Sequence, residues 1–404
     1  MAYCGNCGSE LAPGASFCGN CGAAAPVMAG GSASVEIDIE VEQVEVEEAE
    51  QAATPPPFSG TAGGSGFGNT SRQTQQETQK TQQGGFVGGL NNYMGNTNAV
   101  KLNWKDLFTD VFKKHTNEEA EDIFICGTSR TTPPLSEVSE TWPKPWLYSR
   151  VFICFAITYA LLYVCCTSFQ NPLMFPGLIM VGAFTVPMTT LVLFLEVNAF
   201  RNISVYDVMK FFLIGGVASL VVTLFLFNLH VVDANTSSTW GAMMVGVIEE
   251  VGKLAIVFYL IKRLPSCNYI LSALLAGACV GAGFAAFESA GYAFMILVQS
   301  NFEAMASNLY LRGLLAPGGH VAWAAITGAA LVIAKGSGPL TTAVFSNSRF
   351  WKIFLIPVVL HGLWDAPMFQ GYLKLTGLIL VVWIVVLILI NMGLDQVKNL
   401  KQSA

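Results

Sequence analysis

The stretch MVGVIEEVGKLAIVFYL, residues 244–260, has the apolar character of a membrane-spanning helix but contains Glu249, Glu250 and Lys253. A transmembrane helix needs about 20 predominantly apolar residues. Ionisable groups inside hydrocarbon are costly and usually mark a functional site. Glu249 and Lys253 are four residues apart, so they lie on the same face of a helix. The stretch therefore predicts a transmembrane helix that carries part of a polar site.

The composition of the chain supports a membrane protein. Apolar residues make up 53% of the chain and charged residues 12%, which excludes an ordinary soluble globular protein. Residues 1–140 are polar, whereas residues 151–394 form a succession of apolar runs. We therefore expect an all-α polytopic membrane protein that follows a soluble N-terminal region.

Eight apolar segments predict eight transmembrane helices; they lie near residues 151–168, 173–197, 211–230, 240–261, 270–298, 313–334, 351–371 and 373–394. The N-terminus has no basic and then apolar stretch of the signal-peptide type. With the N-terminus inside, most Lys and Arg of the connections fall on the inner side, whereas Arg312 and Lys374 fall outside. This predicts a multi-pass protein of the cell membrane with both termini in the cytoplasm.

Residues 1–26 contain two Cys-x-x-Cys pairs, formed by Cys4, Cys7, Cys18 and Cys21. Four thiolates at this spacing are typical of a zinc ribbon, and a four-cysteine site is closed and structural. Two disulfides are the alternative, which a reducing cytosol disfavours. We expect Zn²⁺ here and a cytosolic partner that binds the ribbon. No Lys or Arg precedes Arg72 to contact phosphate, so a nucleic-acid partner is not expected.

Three further segments complete the domain prediction. Residues 27–100 are first acidic and then rich in Gly and Gln, which predicts a disordered, flexible linker; a strand that docks on a partner is the alternative for the acidic part. Residues 101–150 predict a juxtamembrane segment with an amphipathic helix around Trp104, which lies on the inner membrane surface or packs on the spans. Residues 151–394 form the transmembrane domain, and residues 395–404 a cytoplasmic tail.

Six ionisable residues of four predicted spans fall at one depth. Counted along each span, they lie about 9 to 15 Å below the outer surface, and they are Glu249, Glu250, Glu288, His320, His361 and Asp365. His361 and Asp365 are again four residues apart and share a helical face. Small residues around these positions allow close helix packing, which keeps polar groups away from lipid. We therefore predict one buried site that contains all six residues and Lys253.

These residue types suit hydrolysis inside a membrane cavity. Glu249 or Glu250 can act as a general base on water. Glu288, His320 and His361 can orient the water or bind a catalytic zinc, with Asp365 supporting His361 and Lys253 tuning the carboxylates. A proton- or cation-coupled transporter uses similar buried groups, but the spans show no clear internal repeat. A membrane sensor without catalysis is the other alternative.

The site residues resemble those of the PrsW family of intramembrane proteases, which is distantly similar to the CAAX prenyl proteases. The matching motifs are Glu-Glu-x-x-Lys at residues 249–253, Phe-x-x-x-Glu at 284–288, His320 early in the next span, and His-x-x-Trp-Asp at 361–365. The resemblance covers roughly residues 145–395. It implies cleavage of membrane-associated protein substrates, in one known role an anti-sigma factor. Family members are usually described as metalloproteases, whereas the CAAX-type relatives are argued to use Glu and His without metal, and this chain has no His-Glu-x-x-His motif.

Overall fold

The structure is a computed structural model of the whole chain that describes residues 2–3, 10–11, 85–96, 98–229, 234–368 and 371–403. The chain divides into two compact units, residues 1–71 and residues 72–404. In the first unit, β1 (Ala2–Tyr3) pairs with β2 (Glu10–Leu11) in antiparallel register. The four cysteines of the predicted zinc ribbon, Cys4, Cys7, Cys18 and Cys21, lie outside the described residues, as does most of the predicted linker.

The second unit is helical. Short helices come first, namely α1 (Phe86–Tyr93), α2 (Asp106–Thr109) and α3 (Asn117–Phe124). The longer elements follow: α4 (Leu147–Ser168), α5 (Phe175–Val197), α6 (Val205–Lys210), a π-helical turn (Phe211–Gly215), α7 (Gly216–Asn228), α8 (Thr239–Arg263), α9 (Ile270–Gln299), α10 (Phe302–Leu315), α11 (His320–Lys335), α12 (Ser348–Asp365) and α13 (Tyr372–Ser403).

Within the part of the chain that the structure describes, six helical segments are long and apolar enough to cross a membrane. They agree with six of the eight predicted spans. The other two predicted spans correspond to α8 and α12, which have the required length but contain three or more charged residues. Several of those charges belong to the predicted site, so the same residues that predict function make these helices less apolar. The count of eight spans stays a prediction.

Helix α9 is the centre of the bundle and packs most extensively against α11. The two helices approach closely because a glycine of each helix faces the backbone of the other. A Cβ atom at Gly277 would collide with the carbonyl oxygen of Ala324, and one at Gly328 with that of Ala273. The other two helices of the site, α8 and α12, also approach closely at a glycine. A Cβ at Gly246 would lie 2.7 Å from the backbone nitrogen of Gly362. Small residues thus set the distances between the helices that carry the ionisable groups.

The predicted linker extends too far toward the membrane domain. It was expected to run to residue 100, whereas Phe86–Tyr93 forms α1 and Met94 and Val100 are buried in the core. The Arg349 guanidinium on α12 donates to the carbonyl oxygens of Met94 and Gly95. These tertiary contacts give structure to a segment whose Gly- and Asn-rich composition predicted none.

Two other predicted elements differ in extent. The amphipathic helix around Trp104 is reduced to the four residues of α2, with Leu107 buried and Phe108 half exposed. The sixth predicted span is broken, because α10 ends at Leu315 and a 3₁₀ turn precedes α11. His320 is therefore the first residue of α11 and does not lie seven residues inside a continuous span.

Candidate active site

Four helices bring all seven predicted site residues into one cluster. Helix α8 contributes Glu249, Glu250 and Lys253, α9 contributes Glu288, α11 contributes His320, and α12 contributes His361 and Asp365. Glu250 and Lys253 are completely buried, and Glu249 is 8% exposed. Of the two adjacent glutamates, Glu249 is therefore the one that water can reach.

Lys253 is the buried cation of the cluster. Its Nζ donates to Oε1 of Glu250 at 2.7 Å, to Oε2 of Glu249 at 3.4 Å and to Nδ1 of His320 at 3.0 Å. It also lies 4.2 Å from the centre of the Phe284 ring, a favourable cation–π distance. Three acceptors match the three hydrogens of an ammonium group. Lys253 thus joins α8 to α11 through a fully satisfied buried charge.

His361 has two chemically different sides. Its Nδ1 lies 2.9 Å from Oε1 of Glu250, a hydrogen bond in which the ring nitrogen donates to the carboxylate. Its Nε2 then carries the lone pair and faces Oε2 of Glu249 at 3.6 Å and Oδ2 of Asp365 at 3.5 Å. The ring stacks on Trp323 with 4.3 Å between centroids. Glu250, and not Asp365, is thus the carboxylate that orients His361.

His320 is held in a similar way on the other side. Its Nε2 lies 3.1 Å from Oε2 of Glu288, which fixes the hydrogen on Nε2. Its Nδ1 accepts from Lys253 and lies 4.0 Å from Oε2 of Glu249. Each histidine therefore donates the N–H of one ring nitrogen to a carboxylate, His361 to Glu250 and His320 to Glu288. The other ring nitrogen of each lies toward Glu249.

Two residues of the cluster were missed by the sequence reasoning. Arg312 on α10 contacts Oε2 of Glu288, and Trp323 on α11 lies against both histidines. Arg312 was counted as a charge of an outer connection, although its position after a long apolar helix near His320 was a usable signal. Trp323 is three residues after His320, and this spacing places both side chains on one helical face.

The cluster contains a donor set for a metal ion. Among the described residues, one group of three, Glu249, His320 and His361, offers ligand atoms that all lie within 4.8 Å of one another. One carboxylate and two imidazoles are a known ligand set of catalytic zinc. The sequence predicted Glu288 in place of Glu249, but Glu288 lies on the Nε2 side of His320. Glu250 and Glu288 instead occupy the positions of carboxylates that orient metal-ligating histidines.

The charges of the cluster also favour a divalent cation. With the carboxylates ionised and the imidazoles neutral, four negative groups face two positive ones, and two negative charges are left over; the six groups are Glu249, Glu250, Glu288, Asp365, Lys253 and Arg312. Uncompensated charge in a buried site is strongly unfavourable. One feature of the site opposes a metal ion. Lys253 donates to Nδ1 of His320 and Oε2 of Glu249, so a metal there requires Lys253 to turn toward Glu250.

Comparison with known proteins agrees with this arrangement. Residues 205–390 match the PrsW family intramembrane metalloprotease, a range that includes every residue of the cluster. Residues 3–24 match a zinc-ribbon domain. No curated protein and no solved structure matches the chain significantly. Residues 205–390 of this chain are therefore similar to the PrsW family of intramembrane metalloproteases, and residues 3–24 are similar to a zinc-ribbon domain.

Proposed function

We propose that this protein hydrolyses peptide bonds of membrane-associated protein substrates with a water molecule activated at Glu249, His320 and His361. The observation that carries the proposal is the convergence of Nδ1 of His320 and Nε2 of His361 on Oε2 of Glu249. This is the part of the cluster where a carboxylate is partly accessible and two imidazoles can orient a reacting molecule. The membrane location of the cluster supports a substrate that is itself inserted in or attached to the bilayer.

In the absence of a metal ion, Glu249 is the proposed proton acceptor. It lies beside Nε2 of His361 and is partly exposed, whereas Glu250 is completely buried. Glu250 is assigned the role of holding His361 in one tautomer and orientation, because it accepts from Nδ1. Lys253 keeps the two glutamates and His320 together. Asp365, with 24% of its side chain exposed, borders the same side of His361 and is placed to contact substrate.

A catalytic zinc ion fits the donor set of Glu249, His320 and His361, and we propose it as the cofactor of this site. When bound, such an ion polarises the scissile carbonyl group and makes water more acidic. Glu249 is then a ligand, and Asp365 is the remaining carboxylate on the open side of His361 to accept a proton. Glu250 and Glu288 orient the two histidines in either case.

A large apolar cavity supports a membrane-embedded substrate segment. It has a volume of about 1070 Å³, and it is lined by α4, α5, α10 and α13 together with Trp104 and with Pro317, which precedes His320 by three residues. Its threonine hydroxyls are bonded to their own helix, as Thr189 is to the carbonyl of Thr185. The walls therefore offer a surface for apolar side chains. Cleavage of a membrane-anchored regulator such as an anti-sigma factor is one signalling role that fits this substrate class.

The cellular setting that we propose is the cell membrane with both termini in the cytoplasm. There the zinc-ribbon domain is available to a cytosolic partner. The four-cysteine zinc of the ribbon is proposed to be structural, separate from the metal of the membrane site.

The test is cleavage of a panel of single-pass membrane proteins by the purified full-length chain in detergent. Wild type is compared with Glu249→Gln, His361→Ala and the surface variant Glu303→Gln, whose residue is exposed at the start of α10. Product from wild type and Glu303→Gln, and none from the other two, supports the protease. Proton flux in liposomes that is lost in the same two variants, without any product, would replace the protease by a transporter.

A further inference from the structure

Arg312 lies on α10, outside the four helices that carry the predicted site, but its side chain reaches α9. Nη2 donates to Oε2 of Glu288, and Nε donates to Oγ of Ser289 at 2.8 Å. The guanidinium also lies 4.7 Å from the centre of the Tyr292 ring. Three residues of one helix thus fix a single Arg side chain, of which 28% stays exposed.

The oxygen that Arg312 contacts is the one that His320 uses. Oε2 of Glu288 accepts from Arg312 and, at 3.1 Å, from Nε2 of His320. An ionised carboxylate only accepts hydrogen bonds, so this arrangement requires the ring hydrogen of His320 on Nε2. Nδ1 then carries the lone pair, and it points toward Lys253 and Glu249. Glu288 and Lys253 therefore act together on His320: Glu288 accepts from Nε2, and Lys253 donates to Nδ1.

An arginine is suited to this task because its donors form a rigid planar fork. Here the fork contacts two adjacent residues of α9, Glu288 and Ser289. A lysine supplies a positive charge but no fixed second donor direction. Without the guanidinium, the Glu288 carboxylate loses the contact that holds Oε2 at the distance His320 needs.

We propose that Arg312 is a positioning residue of the active site, which acts through Glu288 to hold His320 with its lone pair on Nδ1. The inference rests on the proposed function for its kinetic consequence, and on the hydrogen bonds alone for the state of His320. The alternative is a purely structural role, in which Arg312 only holds α10 against α9. The experiments below distinguish this role from positioning of His320.

The kinetic test compares Arg312→Gln, Arg312→Lys and the control Lys262→Gln in the full-length chain. Removal of a carboxylate's partner in such an arrangement typically costs about 10- to 100-fold, so we expect kcat of Arg312→Gln to fall by this factor with little change in KM. Arg312→Lys recovers part of the loss. Lys262 is an exposed cation at the end of α8 and has no assigned role in the site, so its loss should leave kcat near wild type.

A double substitution tests the route through Glu288. In a Glu288→Gln background, Arg312→Gln should reduce kcat by less than about twofold, because both changes remove the same effect. If Arg312→Gln reduces kcat by the same factor in the wild-type and Glu288→Gln backgrounds, the proposal is overturned and Arg312 only holds α10 against α9. A wild-type kcat in Arg312→Gln would also overturn the proposal. Ser289→Ala removes the other hydrogen bond of Arg312 and leaves its contact with Glu288, so it should reduce kcat by less than Arg312→Gln does.

A second readout does not depend on protease activity. The chain has four histidines, so ¹⁵N-histidine NMR of the purified protein in detergent can be assigned with single His→Gln variants. We expect His320 to show hydrogen on Nε2 in wild type and a shifted Nε2 signal in Arg312→Gln, because the hydrogen bond from Nε2 to Glu288 changes when Arg312 no longer holds that carboxylate. Unchanged His320 signals in a folded Arg312→Gln protein would overturn the proposal even if no substrate is found. Where Arg312→Gln does not fold, Arg312→Lys gives the same comparison.

Discussion

Nδ1 of His361 lies 2.9 Å from Oε1 of Glu250, between helices α12 and α8. This hydrogen bond gives the two adjacent glutamates of α8 different tasks, because Glu249 faces Nε2 of the same ring. Glu250→Gln keeps the size of the side chain but removes the charge that holds the Nδ1 hydrogen. We expect kcat to fall by about 10- to 100-fold, the usual cost of losing such an orienting carboxylate. Glu249→Gln should abolish cleavage, and equal turnover in Glu250→Gln and wild type would contradict the assignment.

Lys253→Met should destabilise the protein strongly. It removes the ammonium that satisfies Glu250 and leaves a buried carboxylate without its cation, which typically costs about 3–5 kcal/mol. The free energy of unfolding in a denaturing detergent titration measures this loss. Lys262→Met on the exposed end of the same helix should stay within about 0.5 kcal/mol of wild type. The double variant Glu250→Gln/Lys253→Met should recover part of the loss, and no recovery would contradict the pairing.

Two zinc ions are expected per purified chain, one in the ribbon and one in the membrane site. Cys18→Ser should lose the first and keep the protease activity of the membrane domain. His361→Ala should lose the second together with activity, since it removes a ligand from a set of three. Metal content by mass spectrometry of the protein measures both. A single zinc that is unaffected by His361→Ala, in an active wild-type enzyme, would favour the metal-free glutamate mechanism.

Gly277→Ala should separate α9 from α11 and disturb the site without touching any of its side chains. The added methyl group meets the backbone of Ala324, and overpacking of this kind costs about 1–3 kcal/mol. Gly291→Ala on the same helix is the matched control, because no atom lies within 4 Å of its added Cβ. The control should be neutral or slightly stabilising, by up to about 1 kcal/mol of helix propensity. Equal unfolding energies of the two variants would contradict the role of close helix approach.

The predicted orientation can be tested by cysteine labelling in intact cells. Ser300, between α9 and α10, is predicted outside, and Ser337, after α11, inside; both are exposed. A membrane-impermeant maleimide should label Ser300→Cys directly and Ser337→Cys after permeabilisation, with the unaltered chain as the control for its native cysteines. The reverse pattern would contradict cytoplasmic termini.

The linker boundary shows where prediction from composition stops. Residues 86–93 contain two glycines and two asparagines, which disfavour a helix, and their helix is followed by a segment that Arg349 holds from another part of the chain. The same holds for Arg312, whose partner Glu288 is 24 residues earlier in the sequence. No local pattern reports a contact between two helices, because their mutual rotation is set by packing.

The sequence by itself predicted most helices of the membrane domain and the seven residues that the structure brings into one cluster. These features are local, since the length of an apolar run and the spacing of four residues along a helix need no knowledge of the neighbours. The tertiary structure alone decided the pairings within the site: Glu250 with Nδ1 of His361, Glu288 with Nε2 of His320, and Glu249 with the other ring nitrogen of each histidine. Those pairings depend on how close the helices approach, which the backbone contacts of Gly246 and Gly277 determine.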